Sequence, residues 1–371
     1  MNTTRVRPGE IAVGRALPWS AYDANGRLLL QAGYVIRSAH QLDALIARGL
    51  YRRHDTHEPP GEQSLAPPDC PFDLIGDLQE HMVRTLTNLQ HPHADAAQAV
   101  LHTARKVQAV CGLDANACLG AVHLSRDSSD PAGDLVHQAI LCEVLMRHLD
   151  WDDRHRLSVV AAALTSNLAT LDLQRTLREQ AAPLTVEQLA TVRRHPAAGR
   201  EMLERAGADD PVWLDAVLHH HERLDGSGYP FGLSGTAICM EARVVALTDI
   251  YLAMISPRAY RQEMLAKEAL REIFLQRGRL VDEDMSLTFI KELGVFPPGA
   301  FVMLENGEIG VVIQRGRDAI CPMVSSLISP RGGPYARPLR RTCDKEHYVI
   351  REMVARDPSV PINPRLIWGY D

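Results

Sequence analysis

Hydrophobic residues recur at helical spacing through the middle of the chain, and the pattern becomes shorter and more alternating at both ends. Two helical series lie between residues 72 and 110, and their members are Leu74, Leu78, Met82, Leu86 and Leu89, then Val100, Ala104, Val107 and Val110. Residues spaced by three or four positions share one face of an α-helix. The pattern therefore predicts helices almost throughout residues 72–292.

The first 53 residues have a pattern that predicts a small module of strands and one helix. An Asn25-Gly26 pair separates two extended segments, which is a strong signal for a β-hairpin. Ser38 is a candidate N-cap for a helix through Leu42, Leu45 and Ile46. We therefore expect an α+β module at residues 1–53.

Composition and chain breakers suggest the remaining boundaries. Residues 54–70 shift to Pro, Gly, Glu and Ser, which is typical of a linker. We expect a helical adaptor at residues 71–130 and the main bundle at residues 131–293. The run Gly294–Gly299 then ends the helical pattern, and two apolar segments flank Asn306-Gly307, so residues 294–371 are predicted to form a small β module. The predicted fold class is mainly α, with a helical bundle between a small N-terminal α+β module and a small C-terminal β module.

Two helices of the bundle lead to histidines. Residues 185–188 (Thr-Val-Glu-Gln) form a capping-box pattern that opens a helix carrying His195, and the following Pro196 is typical of the first turns of a helix. A second helix is predicted from Pro211 to the adjacent His220 and His221.

Candidate chemistry is concentrated in residues 220–230, which read His-His-Glu-Arg-Leu-Asp-Gly-Ser-Gly-Tyr-Pro. Neutral imidazoles are good ligands for divalent transition metals. Gly226 and Gly228 let the backbone turn sharply and approach a ligand closely. This segment therefore predicts a site for a metal and a phosphate group.

This segment resembles the second signature of the HD-GYP family, whose members are helical, metal-dependent phosphodiesterases of the bacterial messenger cyclic di-GMP. Family-like features extend from about Asp134 to Leu293, and they include His137 on an amphipathic helix, Arg194-His195-Pro196, the signature, and the segments 246–251 and 258–261. The resemblance implies an HD-type helical bundle, and it implies that five residues are metal ligands: His137, His195, His220, His221 and Asp249.

The same resemblance shows where this chain departs from the family pattern. Thr165 and Ser166 occupy the positions of the family's His-Asp pair. Ala169 occupies the position of the family's lysine, which lies near a substrate phosphate. In a two-metal site the Asp of the pair bridges both ions, and a neutral serine hydroxyl cannot offset two dications. We therefore expect a degenerate, catalytically impaired site.

The resemblance implies two metal positions, and they have not lost the same number of ligands. One position keeps only His137 and Asp249, which are too few ligands for firm binding. The other keeps His195, His220 and His221, a set able to hold one ion with open positions. Two outcomes stay open for the cofactor: one divalent metal (iron, manganese or zinc), or no metal at all.

The signature turn offers a second kind of site. Gly226, Gly228, Tyr229 and Pro230 are predicted to form a surface for a nucleotide or a partner protein, because tyrosine has both an aromatic face and a hydroxyl. Arg258 and Arg261 are candidate phosphate contacts, since a guanidinium can donate to two phosphate oxygens at once.

Each of these residues also has a structural interpretation. The turn can be a tight turn only, the two arginines can be surface residues, and His137 can be a core residue. The adjacent His220 and His221 can also be a polar helix end.

Three functions remain open. We favour a regulator of cyclic di-GMP signalling that binds this or a related guanine nucleotide, or a partner such as a diguanylate cyclase domain. The alternative is a weakly active phosphodiesterase with a reduced metal site, in which Asp134, one turn before His137, replaces a missing ligand. The third is a structural interaction module with neither metal nor nucleotide. A homodimer is also left open.

Charge, apolar content and cysteine number indicate where the protein is expected to be located and which partners it is not expected to bind. The net charge is -6, and the charges are interspersed along the chain, which argues against nucleic-acid binding. The sequence has no run of about 20 apolar residues and no signal core, so we expect no membrane insertion. The 7 cysteines form no Cys-x-x-Cys pair, and their odd number argues against a disulfide framework. These features predict a cytoplasmic protein.

Overall fold

The structure is a computed structural model, and it describes most of the chain. The described residues are 3–5, 21–23, 28–30, 51–53, 69–90, 96–124, 130–257, 263–316, 321–343, 346–357, 360 and 362–371. Contacts divide the chain into two units, Met1–Ala66 and Pro67–Asp371. The predicted helix after Ser38, most of the predicted linker, Arg258 and Arg261 lie outside the described residues.

The N-terminal unit contains a four-stranded antiparallel sheet. Its strands are β1 (Thr3–Arg5), β2 (Ala21–Tyr22), β3 (Leu28–Leu30) and β4 (Tyr51–Arg53), in the spatial order β1-β4-β2-β3. Strands β2 and β3 are antiparallel, with Tyr22 opposite Leu28. The predicted pairing on either side of Asn25-Gly26 is therefore confirmed, although residues 24–27 themselves are not described.

The second unit begins with helices. Three of them precede the bundle: α1 (Pro71–Gln90), α2 (Ala96–Leu113) and α3 (Ala115–Leu124). The bundle follows with α4 (Pro131–His148), α5 (Asp153–Thr165), α6 (Leu171–Glu179), α7 (Val186–Arg205), α8 (Pro211–His219), α9 (Met240–Ile255), α10 (Ala266–Gln276) and α11 (Glu283–Leu293). The helical region predicted from the spacing of apolar residues is confirmed, and α1 and α2 bury their predicted apolar series almost completely.

Helix α4 lies at the centre of the bundle and packs against α1, α2, α5 and α9. Of its 18 residues, 15 are buried, including His137 and Gln138. The prediction that the helix around His137 is amphipathic is therefore wrong, because neighbouring helices cover α4 on all sides. A helix that is buried on every side does not have a polar face.

Several helices of the bundle begin with a side-chain cap. Asp130 caps α4 and precedes Pro131 at the first helical position, and Asp210 and Pro211 repeat this arrangement at α8. Thr185 and the side chain of Gln188 form a complete capping box at α7, as predicted. These caps fix the starts of the two helices that lead to the histidines.

The C-terminal part is a five-stranded antiparallel sheet. Its strands are β5 (Phe301–Leu304), β6 (Ile309–Gln314), β7 (Met323–Ile328), β8 (Pro334–Thr342) and β9 (Ile350–Met353), in the order β8-β7-β6-β5-β9. The predicted strand pair on either side of Asn306-Gly307 is confirmed by the pairing of β5 with β6. A short helix that the sequence pattern did not predict, α12 (Pro364–Trp368), packs Trp368 against Phe72 at the start of α1, with ring centroids 5.0 Å apart.

Within the described part of the chain, no single helix has both the length and the apolar character that crossing a bilayer requires. Helices α2 and α3 meet those criteria only as a pair, and they are bent by 110° at the residue between them.

Candidate metal centre

Three histidines from two helices meet at one point of the bundle. His195 lies in the middle of α7, so Pro196 is inside that helix and not in its first turns. His220 and His221 directly follow α8. The ligand atoms of these three histidines all lie within 4.8 Å of one another, and in the described residues they form the one such group of His, Cys, Asp or Glu side chains.

Backbone hydrogen bonds fix the tautomers of two of these histidines. Nδ1 of His195 lies 2.6 Å from the carbonyl oxygen of Val192, and Nδ1 of His220 lies 2.7 Å from that of Val217. A carbonyl oxygen only accepts, so each Nδ1 carries the proton and each neutral ring presents a lone pair at Nε2. Metal-ligating histidines commonly donate their second nitrogen to a backbone carbonyl in this way.

The two Nε2 atoms of His195 and His220 lie 3.3 Å apart. Two lone pairs at that distance repel each other unless a proton or a cation lies near both. The ring of His221 lies next to both, with centroids 4.1 Å from His220 and 4.9 Å from His195. Three imidazole nitrogens are a donor set that fits one divalent transition metal.

Burial keeps the three imidazoles neutral. Burial, and then the neighbouring His220, lower the pKa of His195 to about 3. Burial also lowers the pKa of His220, and the nearby carboxylate of Asp249 opposes this effect. The pKa of His221 lies well below its usual value because of burial and then the other two histidines. A neutral ring is the form that ligates a metal.

His137 does not belong to the three-histidine group. It is buried in α4, and its Nε2 atom lies 3.0 Å from the side-chain amide nitrogen of Gln79, on α1. The amide N–H donates to this imidazole nitrogen, which is therefore the acceptor in a contact between two helices. The surroundings of His137 therefore fit a residue that joins two helices better than they fit a metal ligand.

Asp249 is half-buried on α9, close to the histidine group but outside it. Its negative charge acts on His220, and after burial it is the main factor that raises the pKa of the Tyr229 hydroxyl. Asp249 also lines a cavity of about 40 Å³ together with Asp134, Gln138 and Asn167. The cavity can hold about one water molecule.

Asp134 forms an ion pair within the protein. Its Oδ2 atom accepts a hydrogen bond from Nη2 of Arg178 at 2.5 Å. The suggestion that Asp134 replaces a lost metal ligand is weakened by this pairing, because the arginine already balances the charge of the carboxylate.

Thr165 and Ser166 are fully buried and make hydrogen bonds within the protein. Oγ1 of Thr165 accepts from the indole nitrogen of Trp213 at 2.8 Å and donates to a carbonyl oxygen of its own helix. Oγ of Ser166 donates to Oε1 of Gln138 at 3.2 Å, and the Gln138 amide donates to a carbonyl of α9. Ala169 is half-buried in a short 3₁₀ helix and offers no polar group.

The signature turn is held in a conformation that requires glycine. Gly226 has a φ of 78°, which favours glycine. A Cβ atom on Gly228 would lie 2.4 Å from the backbone nitrogen of Arg223. The Tyr229-Pro230 peptide is cis, and the Tyr229 ring lies against His221 with centroids 4.8 Å apart. The turn therefore places an aromatic ring directly beside the histidine group.

Glu222 is the residue that closes this turn, and the sequence reasoning missed it. Its buried carboxylate accepts hydrogen bonds from the backbone N–H groups of Phe231, at 2.8 Å, and Leu233, at 2.9 Å. An acidic residue directly after two histidines was the available signal. The burial that makes Glu222 important is set by the loop that folds back over it.

Two arginines near the turn were also missed as site residues. Arg223 and Arg193 both act electrostatically on the Tyr229 hydroxyl, and Arg223 also acts on His220 and His221. Arg193 is exposed and Arg223 is half-buried. Their position two residues before His195 and two residues after His221 was the signal for them. They provide positive charge next to the tyrosine.

Comparison with known proteins agrees with this arrangement. A family model described as an HD domain matches residues 122–285, which include all three histidines. The solved structure of Bd1817, an HDG"Y"P protein from Bdellovibrio bacteriovorus, covers 78% of this chain and 99% of that chain with a TM-score of 0.52. At 15% sequence identity, this likeness is one of fold. The bundle is therefore an HD-type helical domain.

Two curated proteins are similar in sequence to this domain. A cyclic di-GMP phosphodiesterase of Pseudomonas aeruginosa is 34% identical over 217 residues, which make up 58% of this chain and 52% of that protein. The cyclic di-GMP phosphodiesterase response regulator RpfG of Xanthomonas campestris is 36% identical over 149 residues, 34% of this chain and 39% of that protein. The chain thus spans about half or less of the length of these relatives. The family model and these relatives support the assignment of this domain to the HD-GYP family.

Proposed function

We propose that this chain is a regulator of cyclic di-GMP signalling whose HD-type domain holds one divalent metal and has lost most or all phosphodiesterase activity. The observation that carries this proposal is the contrast between two positions. His195, His220 and His221 form a ready ligand set, whereas the buried Thr165 and Ser166 supply only hydroxyls that are already hydrogen-bonded within the protein.

The proposed metal ligands are the three histidines. Their nitrogen donors suit iron, manganese or zinc, and no carboxylate belongs to the group. When bound, such a metal supplies Lewis acidity toward a phosphoryl oxygen or a water. The Nδ1–H donors of His195 and His220 orient both rings toward the shared point.

Low activity follows from the groups that this chain lacks at residues 166 and 169. No carboxylate stands at residue 166, and Ala169 cannot donate a positive charge to a phosphate. Loss of one contact that stabilises charge in the transition state costs about two to three orders of magnitude in rate. Loss of a bridging carboxylate adds to that cost, so we expect turnover that is very slow or absent.

Binding of the nucleotide is proposed to involve the signature turn. Tyr229 offers an aromatic face on which a guanine base can stack, and Arg193 and Arg223 lie close enough to act on its hydroxyl. The phosphates of a cyclic dinucleotide would then lie near positive charge and near the histidines. The names of the related proteins, which specify cyclic di-GMP, support this choice of nucleotide.

A partner protein is proposed for the same surface, with a diguanylate cyclase domain as the partner. Phe231, directly after the turn, is 62% exposed and contacts only the edge of His219 among the aromatic rings of the described residues. An exposed aromatic side chain of this kind is a frequent anchor in protein interfaces. Homodimer formation through this surface stays a prediction.

The second candidate function is a slow, metal-dependent phosphodiesterase. It is favoured by the open positions of a three-histidine site, because three-histidine metal sites with an open position are catalytic in other proteins. It is also favoured by Asp249, whose carboxylate acts on His220 and which lines a small cavity with Asp134, Gln138 and Asn167.

One experiment separates the two functions. The iron- or manganese-loaded chain is incubated anaerobically with cyclic di-GMP, and linear dinucleotide and GMP are followed by chromatography. The control is the His220→Ala/His221→Ala double variant. Intact substrate together with calorimetric binding supports the regulator. Turnover that disappears in the double variant overturns the regulator in favour of the enzyme. If the chain shows no turnover and no binding, both proposed functions are contradicted.

A further inference from the structure

A pocket far along the chain from the histidines lies between helices α1 and α2. Its volume is about 410 Å³. Its floor is formed by Leu74 and Leu78 of α1 and by Val110 and Leu113 of α2. Leu113 is 59% exposed. This volume falls in the range of small-molecule sites, about 300–1,000 Å³, and such sites are mostly apolar.

One polar atom in this pocket has no partner. Nε2 of His81, which lines the pocket, is buried and makes no hydrogen bond. Buried polar atoms almost always have a hydrogen-bond partner, so an exception requires an explanation. A ligand with a polar group at this position would satisfy the imidazole nitrogen.

Charged side chains of both signs lie around His81. Burial, and then the charges of Lys106, Arg84 and His102, lower the pKa of His81. The pocket also has Asp69 and Asp77 in its lining, and both are exposed to solvent. The imidazole is therefore neutral and able to donate or accept a hydrogen bond, and Lys106, which lines the same pocket, can pair with a negative group.

We propose that this pocket binds a small amphiphilic anion, with its apolar body on the leucine and valine floor and its acidic head group between His81 and Lys106. A medium-chain carboxylate has this chemistry. The proposal is independent of the metal centre and of cyclic di-GMP.

The position of the pocket gives the proposal a consequence for the bundle. Gln79, which bonds to His137 of the central helix α4, lies on α1 between the pocket residues Leu78 and His81. A ligand that orders this turn of α1 therefore acts on a helix in direct contact with a predicted site residue.

Calorimetric titration of the full-length chain with decanoate tests the proposal. Decyltrimethylammonium is the matched probe, because it has the same apolar body and a positive head group. We expect decanoate to bind at one site and the cation to bind at least about tenfold more weakly, a difference of about 1.4 kcal/mol. No binding of decanoate, or equal binding of the two probes, overturns the proposal.

Variants locate the site. Ala109→Trp places a large side chain in the pocket from an exposed helical position, and Gln98→Trp makes the same change on α2 outside the lining. We expect loss of decanoate binding in the first and unchanged binding in the second, with similar melting temperatures. His81→Phe and Lys106→Gln should each weaken binding about fivefold, or about 1 kcal/mol. Unchanged affinity in Ala109→Trp places the decanoate elsewhere and refutes the assignment.

Discussion

The indole nitrogen of Trp213 donates a hydrogen bond to Oγ1 of Thr165 at 2.8 Å, and both side chains are fully buried. The bond joins α5 to α8, the helix that leads to His220 and His221. Thr165 occupies the position at which the family resemblance predicts the histidine of the His-Asp pair. In this chain Thr165 therefore anchors α8, the helix that His220 and His221 directly follow.

This contact predicts that the missing pair cannot be restored by substitution alone. Thr165→His/Ser166→Asp removes the acceptor of the Trp213 indole and places a carboxylate in a fully buried position. A buried, unpaired charge is strongly destabilising, so we expect the free energy of unfolding to fall by about 3 kcal/mol or more. Urea unfolding measures this change.

The control for that substitution is Ser166→Ala, which removes a hydroxyl that bonds to Gln138, to the Ala163 carbonyl and to the Asn167 amide, and adds no charge, so it should cost about 1 kcal/mol. Elemental analysis of the double variant adds a second readout. A double variant of native stability that binds two metal ions per chain would show that this region still has room for the second metal.

A second prediction concerns the three histidines. We expect the native chain to retain about one equivalent of metal after dialysis, and His220→Ala to lower the affinity at least about 100-fold, because a direct ligand matters more than a residue that only orients one. His219→Ala is the matched control, since His219 is adjacent in sequence but outside the group. Inductively coupled plasma mass spectrometry gives the stoichiometry. Equal metal loss from both variants would contradict the assignment.

A third prediction tests the aromatic surface of the turn. Tyr229→Ala should weaken calorimetric binding of cyclic di-GMP by about 5- to 150-fold, because base stacking on an aromatic ring contributes about 1–3 kcal/mol. Tyr229→Phe keeps the ring that lies 4.8 Å from His221 and should bind nearly as the native chain does. If Tyr229→Phe loses as much affinity as Tyr229→Ala, the hydroxyl and not the ring recognises the nucleotide.

Sequence patterns predicted the local features of the site well. The capping box at Thr185, the helix from Pro211 and the glycine-rich turn all depend on residues close together in sequence, and they bring the three histidines to one point. The helical periodicity of α1 and α2 likewise depends on local spacing. These features follow from physics that acts over one or two helical turns.

The remaining features depend on contacts between distant residues. Gln79 lies 58 positions before His137, so no local pattern shows that its amide bonds to the imidazole. The pairing of Asp134 with Arg178 is similarly distant and changes the interpretation of Asp134 from a replacement ligand to an ion-pair partner. Glu222 was adjacent to the motif, but its role depends on a loop that returns 9 and 11 residues later.

A fourth prediction compares two glycines. In Gly228→Ala, the new Cβ would lie 2.4 Å from the nitrogen of Arg223 and 2.5 Å from Cα of Glu222. These are backbone atoms that cannot move aside, so we expect a loss of about 1–3 kcal/mol in unfolding free energy and a disturbed turn. Gly76→Ala, inside α1 with no atom within 4 Å of the new Cβ, should instead stabilise the chain by about 0.5–1 kcal/mol. Denaturant titration distinguishes these opposite signs.

The C-terminal sheet contains a buried carboxylate that gives a fifth prediction. Glu308 accepts two hydrogen bonds from Arg341, at 2.8 Å and 2.9 Å, and one from the Tyr335 hydroxyl, at 3.0 Å. Burial opposes ionisation, but the hydrogen bonds from Arg341 and Tyr335 and the positive charge of Arg341 outweigh it and lower the pKa of Glu308 to about 2. The carboxylate therefore stays ionised in the folded chain at pH values where it is protonated in the unfolded chain.

The sign of the pH effect follows from proton binding. Between the usual pKa of 4.5 and the folded pKa of about 2, the unfolded chain binds the additional proton. The stability that Glu308 contributes is therefore complete above about pH 4.5 and falls with decreasing pH, by up to about 1.4 kcal/mol per pH unit. Glu308→Gln should cost about 2 kcal/mol at pH 7, and its difference from the native chain should shrink at pH 3.5. Urea unfolding at both pH values measures this difference in unfolding free energy. Glu305→Gln is the control, because Glu305 is exposed and also precedes β6. A difference that stays constant with pH would show that Glu308 titrates normally in the folded chain.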